Sequence, residues 1–238
     1  PMHLRPWSAV SLCALGCLGL VVATPAAAEP IKCQRAIARG GSQFVRTAAK
    51  ALDKCEAGVV KGTIAGPCPD TKAARSLARA SKKLAKAIDK ACGGIDRRCG
   101  GNHTGEDEPS ALGWPPTCPN FEHGDCTNTI SHCGGIATCL ACTGTAAAAD
   151  ATGLLYDDPA LPSSGTVQTC QLAIGKATTV FLAARSKALQ ECWDARILGK
   201  HSDECVPPAV GDGKYLDAIA KAEAKKIAAI CRACGGPD

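Results

Sequence analysis

The sequence predicts an all-α protein: two disulfide-stapled antiparallel helical hairpins flanking a cysteine-rich, loop-rich insert with short helices. Three observations carry that prediction. Cys33, Cys55 and Cys68 recur as Cys170, Cys192 and Cys205, each 137 positions further on; a constant offset of this kind marks an internal duplication. The segments between these cysteines carry apolar residues at the 3.6-residue spacing of amphipathic helices. The chain also holds 17 cysteines, 15 of them behind an apolar N-terminal stretch, the usage of an exported, cross-linked protein.

Residues 1–28 read as a secretory signal: Arg5, a mostly apolar run from Trp7 to Val22, then Ala26-Ala27-Ala28 as a small-residue cleavage site. Pro25 interrupts the run, which is short of the ~20 unbroken apolar residues a spanning helix needs. An alternative is a lipoprotein acylated at Cys17. Cleavage removes Cys13 and Cys17 and leaves 15 cysteines, so at least one stays unpaired or bonds another chain. The expected location is secreted or periplasmic, with no transmembrane span in the mature chain. Aromatic residues make up only 3% of the chain. Small side chains bury little area and stabilise little per contact, and the cross-links compensate.

Residues 31–94 form the first hairpin repeat. Cys33, Ile37, Phe44, Ala48, Ala51, Leu52 and Cys55 share one helical face. Gly40-Gly41 weakens that helix by roughly 1 kcal/mol per glycine relative to alanine. Gly58, Gly62, Gly66 and Pro67 mark a loop, Asp70 is a candidate N-cap, and a second stripe runs through Leu77, Leu84, Ile88, Ala91 and Cys92 to a stop at Gly93-Gly94. Residues 95–166 form the insert and linker. Asn102 to Asn120 shows no period and reads as loop, short helices are expected over Thr127–Cys133 and Ile136–Tyr156, and Pro159–Gly165 reads as linker. Residues 167–236 repeat the hairpin plan, with Leu216, Ala220, Glu223, Ile227, Ile230 and Cys234 on one face. Gln34-Arg35-Ala36-Ile37 matches Gln171-Leu172-Ala173-Ile174, Phe44 matches Phe181, and Lys90-Ala91-Cys92-Gly93-Gly94 matches Arg232-Ala233-Cys234-Gly235-Gly236 after five inserted residues.

Antiparallel geometry predicts nested pairing. Cys33 and Cys55 lie only about 40° apart around their helix, so both face the partner helix. Cys55 then meets Cys68 across the loop and Cys33 meets Cys92 at the open end; Cys192–Cys205 and Cys170–Cys234 follow in the second copy. Each bridge stabilises by roughly 3–4 kcal/mol on chain-entropy grounds. Cys99, Cys118, Cys126, Cys133, Cys139 and Cys142 pair among themselves in an order the spacing leaves open. Cys231 aligns with Asp89 and is the candidate free thiol, available for a disulfide-linked dimer.

Charge is uneven. Residues 30–92 hold 14 Lys or Arg against 4 Asp or Glu, a net of +10; residues 93–165 hold 2 against 9, a net of −7. Arg75, Arg79, Lys82, Lys83, Lys86 and Lys90 fill the helix face opposite Leu77, Leu84 and Ile88. They are candidate anion-binding residues for acidic glycan or lipid headgroups; the alternative is a solvated face balanced by the acidic insert. Export and scarce stacking aromatics argue against nucleic acid.

No catalytic constellation appears. Cys139-Leu140-Ala141-Cys142 and Cys231-Arg232-Ala233-Cys234 fit C-x-x-C, the pattern of a thiol–disulfide oxidoreductase, but no strand precedes either. Thr143 and Gly235 stand where a c-type haem needs histidine. His123, Cys126, His132 and Cys133 match no strong zinc spacing. Glu106-Asp107-Glu108 and Glu122/Asp125 lack the EF-hand pattern and read as a solvated acidic loop. Asp157-Asp158 are adjacent and face different directions on a helix. Asn102-His103-Thr104 fits the glycosylation sequon. The expectation is a non-enzymatic structural or binding protein without metal or cofactor.

The repeated Cys-Gln-x-Ala-Ile start, the Cys-Gly-Gly end and Cys118-Pro119-Asn120-Phe121-Glu122 resemble those of uncharacterised cysteine-rich secreted bacterial proteins. That resemblance spans most of the mature chain and implies no activity. In architecture the hairpins resemble twin-cysteine and saposin-like proteins, whose cysteine spacings this chain does not meet. Saposin-like lipid handling, in which hairpins open to expose apolar faces, is the third functional reading.

Overall fold

Five α-helices and one 3-10 turn account for the regular structure of the described residues, whose only β element is an isolated Thr117–Thr129 bridge. The computed structural model describes residues 30–100, 105–120, 124–156, 165–206 and 211–235. The expected signal segment 1–28, Asn102, His103, Glu122, His123 and Asp157-Asp158 lie outside them.

Helix α1 (Pro30–Val60) buries Cys33, Ile37, Phe44, Ala48, Leu52 and Cys55, the face its periodicity predicts. Helix α2 (Thr71–Cys92) returns along it with Ala73, Ala80, Leu84, Ile88 and Cys92 inward. The Asp70 carboxylate accepts the Ala73 amide at 2.7 Å, an N-cap that stabilises by about 1 kcal/mol. Gly40 does not interrupt α1. A Cβ there would come within 2.8 Å of Leu84 Cδ1, so the glycine gives α2 room to close on α1. A 3-10 turn (Gly94–Asp96) follows.

Cys33 bonds Cys92 and Cys55 bonds Cys68, with Cα separations of 4.7 and 5.9 Å. In the second hairpin, α4 (Gly165–Ile197) and α5 (Lys214–Cys234), Cys170 bonds Cys234 and Cys192 bonds Cys205, at 4.8 and 5.9 Å. These are the nested pairs expected of antiparallel helices. Cys231 is the free, exposed cysteine of the described residues.

The insert departs from expectation. Of the helix expected over Thr127–Cys133, residues 127–132 are not helical and Cys133 is instead the first residue of the next helix. The Ile130 amide donates to Pro116 and the Cys118 amide donates to Asn128, at 2.7 and 2.9 Å, so two extended stretches pair instead. Thr127, Asn128 and Thr129 are weak helix formers, and the bridge gives the Asn128 carbonyl and the Ile130 amide backbone partners. Helix α3 then runs unbroken over Cys133–Tyr156, 24 residues rather than a short helix. Its start is set by the acidic loop, where Glu108 and Asp125 are exposed as expected but Glu106 and Asp107 turn inward. Glu106 accepts the amides of Cys133 and Gly100 at 2.6 and 2.9 Å, placing a carboxylate at the positive end of the helix. Asp107 is 8% exposed, and burial, with Glu106 alongside, pushes its carboxyl pKa up.

Cys99–Cys133, Cys118–Cys139 and Cys126–Cys142 complete seven disulfides, a set suited to an oxidising, extracytoplasmic environment. Cys99–Cys133 ties the start of α3 to the segment after the first hairpin and the other two tie α3 to the insert loop, and α3 packs on the first hairpin where Ile130 and Ile136 join Phe44, Leu84 and Ile88 in one core. The second hairpin has only a small cluster of Ala188, Cys192, Cys205 and Tyr215.

The buried face of α5 is also rotated from the expected one. Of the expected face, Leu216, Ile230 and Cys234 are part-buried but Ala220, Glu223 and Ile227 are exposed, and Tyr215, Ile219, Ala222 and Lys226 take the more buried positions. Tyr215 sets the rotation: it is 3% exposed and packs in the cluster of Cys192 and Cys205. The Lys226 ammonium lies 4.4 Å from the centre of the Phe181 ring, a cation over an aromatic face. No helix among the described residues is long and apolar enough to cross a membrane.

Candidate anion-binding groove

Arg75, Arg79, Lys82, Lys83, Lys86 and Lys90 are exposed along α2, on the side away from Leu84 and Ile88. Five of them form a convex ridge that lines none of the main cavities. Lys90 alone lines one, a cavity of about 800 Å³ beside Lys32, Arg35 and Arg39 of α1. Arg35 and Arg39 are committed there: their guanidinium groups donate to Asp194 of α4 at 2.7 and 2.6 Å. The Arg35 hydrogen bond holds the Asp194 carboxyl below the usual carboxylate range.

A larger concavity, about 980 Å³, opens where α4 crosses α1. Helical spacing along α1 places Arg46, Lys50 and Lys54 on one stripe, Lys61 follows at the end of the helix, and Lys176 faces them from α4. The first hairpin turn supplies Thr63 and Ile64, and the α4 wall adds Leu172, Val180 and Ala183. Five cations thus line the groove against one carboxylate, Asp53.

That carboxylate is turned inward. The Tyr156 hydroxyl donates to Asp53 Oδ1 at 2.9 Å. Burial pushes the Asp53 pKa up, opposed by hydrogen bonds from Tyr156 and Thr179 and by the charges of Lys176 and Lys54. The same burial, with Asp53 beside it, raises the Tyr156 pKa. Gly175 makes the contact possible, since a Cβ on it would collide with the Tyr156 hydroxyl. Arg46 Nη2 donates to Gln43 Oε1 at 2.7 Å, while its Nε is buried without a partner.

A second groove of about 590 Å³ continues from the first along α4 and α5, sharing Lys176 and Val180 with it. Its walls are alanines, and its polar groups are all lysines: Lys176, Lys221, Lys225 and Lys226. Val180, at the junction, is 60% exposed.

The cysteine motifs take other roles. Cys139 and Cys142 do not bond each other; they are tied separately to Cys118 and Cys126, and Cys139 is 1% exposed. Their spacing of three on a helix points both at the insert loop, so the C-x-x-C reading of a redox pair does not hold in this arrangement. Cys231 bonds nothing, and Cys234 is bonded to Cys170. The zinc set is likewise not assembled: Cys126 and Cys133 are in different disulfides, His132 Nδ1 accepts the Gly134 amide at 3.1 Å, and His123 lies outside the described residues. His201 sits with Nε2 3.8 Å from Cys192 Sγ and 3.2 Å from the Cys192 carbonyl oxygen, against the Cys192–Cys205 disulfide whose sulfurs are spent on each other.

Sequence reading missed Arg46, Lys50, Lys54 and Lys61. Their spacing along α1 was visible. Weight of charge drew attention to α2, and only the crossing of α4 turns the α1 stripe into a groove. No family model, curated protein or solved structure matches the chain.

Proposed function

We propose that this chain is a non-enzymatic, exported binding protein, built by duplication of a helical hairpin, that holds an anionic ligand in the groove between α1 and α4. Residues 1–28 are its removed signal peptide. The shared chemistry of its ligands is carboxylate or phosphate, as on acidic envelope glycans and lipid headgroups. The observation that carries this reading is the ring of Arg46, Lys50, Lys54, Lys61 and Lys176 around a single, internally satisfied carboxylate. Like charges gathered on one concave wall repel each other, and a bound anion relieves that repulsion while the low-dielectric wall strengthens the attraction. The convex α2 ridge extends the positive field and steers anions toward the protein. A lipid-handling mechanism in which the hairpins open is opposed by the bridges across both ends of each hairpin.

Retention on a heparin column across a salt series tests the reading. The native chain is retained at low salt and released as salt rises. Replacing Lys50, Lys54 and Lys176 by Gln lowers the eluting salt more than replacing Arg75, Lys82 and Lys83. Retention indifferent to salt, or to the groove substitutions, overturns the reading.

A further inference from the structure

We infer that the occupant is a single-chain amphiphile with a carboxylate head, a long-chain fatty acid anion lying along the two joined grooves. The inference rests on the anion-binding reading above and names its ligand class. Val180, which is 60% exposed, lines both grooves together with Lys176. An apolar side chain left in water at the junction of two cationic grooves is complementary to a molecule that is apolar along its length and anionic at one end.

The linings separate this ligand from a glycan. The narrower groove offers alanine walls and no hydrogen-bonding group except lysine ammonium, and neither groove has an aromatic platform for a sugar ring. A sugar there would lose water from its hydroxyls without recovering hydrogen bonds. An acyl chain loses nothing by the same transfer, and each methylene removed from water contributes about 0.8 kcal/mol. The narrower groove, about 590 Å³, falls within the roughly 300–1,000 Å³ of small-molecule sites. The head lies in the wider groove, where Lys54 and Lys176 flank the inward-turned Asp53 and Arg46 Nε is a buried donor without a partner. The tail follows α4 past Val180 between the helices of the second hairpin.

Native mass spectrometry and fluorescent-probe displacement with palmitate, on the full disulfide-bonded chain, test this. Palmitate is expected to bind one per chain, and a nonionic detergent of the same chain length far more weakly. Val180→Asn, which adds no charge to either groove, is expected to weaken palmitate by about tenfold while lowering the salt at which heparin releases the chain less than Lys176→Gln does. Lys176→Gln weakens both. Circular dichroism and the disulfide map verify that each variant is folded. Absence of palmitate binding, or palmitate binding indifferent to Val180→Asn, overturns the inference. Preference for lysophosphatidate over palmitate overturns the carboxylate head. Heparin retention without palmitate binding defeats the amphiphile and leaves the anion-binding reading standing; loss of both defeats the two together.

Discussion

In the first hairpin, Cys33–Cys92 and Cys55–Cys68 close around Phe44, Leu52, Leu84 and Ile88. In the second, Cys170–Cys234 and Cys192–Cys205 close around alanines and Tyr215. The bridges match: the inner pair spans 13 residues in both and the Cα separations agree to 0.1 Å. What lies between them does not. Helix α3 covers the first hairpin and completes its core, whereas Val167, Val180 and Ile227 stay 52–60% exposed on the second. Helix α2 starts at a side-chain N-cap, Asp70; α5 starts at Gly213, without one. The lesson is that the disulfide frame fixes how two helices lie, while the third helix decides how much apolar surface they bury. The frame can therefore hold a helix pair whose interior is too thin to hold itself, and such a pair keeps open surface for a ligand.

The sharpest way to break the comparison is to remove one open-end bridge from each hairpin. Replacing Cys170 and Cys234 by Ala removes a cross-link worth roughly 4 kcal/mol for a loop of this length. Hydrogen exchange is expected to show α5 losing protection while α1, α2 and α3 keep theirs. Replacing Cys33 and Cys92 costs a similar amount, spread over a hairpin whose core persists. Equal loss of protection in both variants would show that the thin interior is not what distinguishes the second hairpin.

Core truncation gives the next effect. Ile88→Ala, at a fully buried position, is expected to cost about 2–5 kcal/mol in chemical denaturation. Ile227→Ala, at 52% exposure, is expected to change stability by less than about 0.5 kcal/mol.

The joint between the hairpins responds to pH through two carboxylates of opposite sign. Asp194 has a lowered pKa in the folded chain because Arg35 and Arg39 bond it. Its contribution is present above the ordinary aspartate value and is lost as pH falls through the folded value. Asp53 has a raised pKa from burial, so its ionisation opposes folding above the ordinary value, and that opposition is relieved as pH falls through its raised folded value. In urea midpoints measured down an acid series, Asp194→Asn is expected to be less stable than the native chain at neutral pH, by less than Ile88→Ala, with the gap closing in acid. Asp53→Asn is expected to be no less stable at neutral pH. A gap for Asp194→Asn that is constant with pH would exclude the ion pair as its source.

The smallest effect belongs to Cys231. It is exposed and unbonded, so Cys231→Ser is expected to leave thermal stability within about 0.5 kcal/mol of the native chain. Any disulfide-linked dimer on non-reducing gels is expected to vanish with it; a dimer that survives would mean another cysteine had opened.

The sequence by itself determined the helices and the nested bridges. Periodicity places Cys33 and Cys55 on one face, and a short loop forces the following helix back alongside, so the partners are decided by local geometry. It also determined Asp70 as a cap, because capping is settled within three residues. The insert was less legible. Thr127–Cys133 carried a weak helical pattern that pairing with residues 116–118 overrode, and Glu106 finds its use 27 residues away at the start of α3. The rotation of α5 turned on Tyr215 meeting the Cys192–Cys205 bridge, and a run rich in alanine and lysine offers no sequence signal strong enough to fix a face. The groove was decided last and wholly by tertiary structure. Arg46, Lys50 and Lys54 are on α1 whatever else happens, but Lys176 lies more than a hundred positions away. Only the crossing of α4, fixed by Asp194 with Arg35 and Arg39 and by Ser186 with Ser42, brings it opposite them. Local spacing encodes what one helix presents; which helix it faces depends on long-range contacts that no local pattern records.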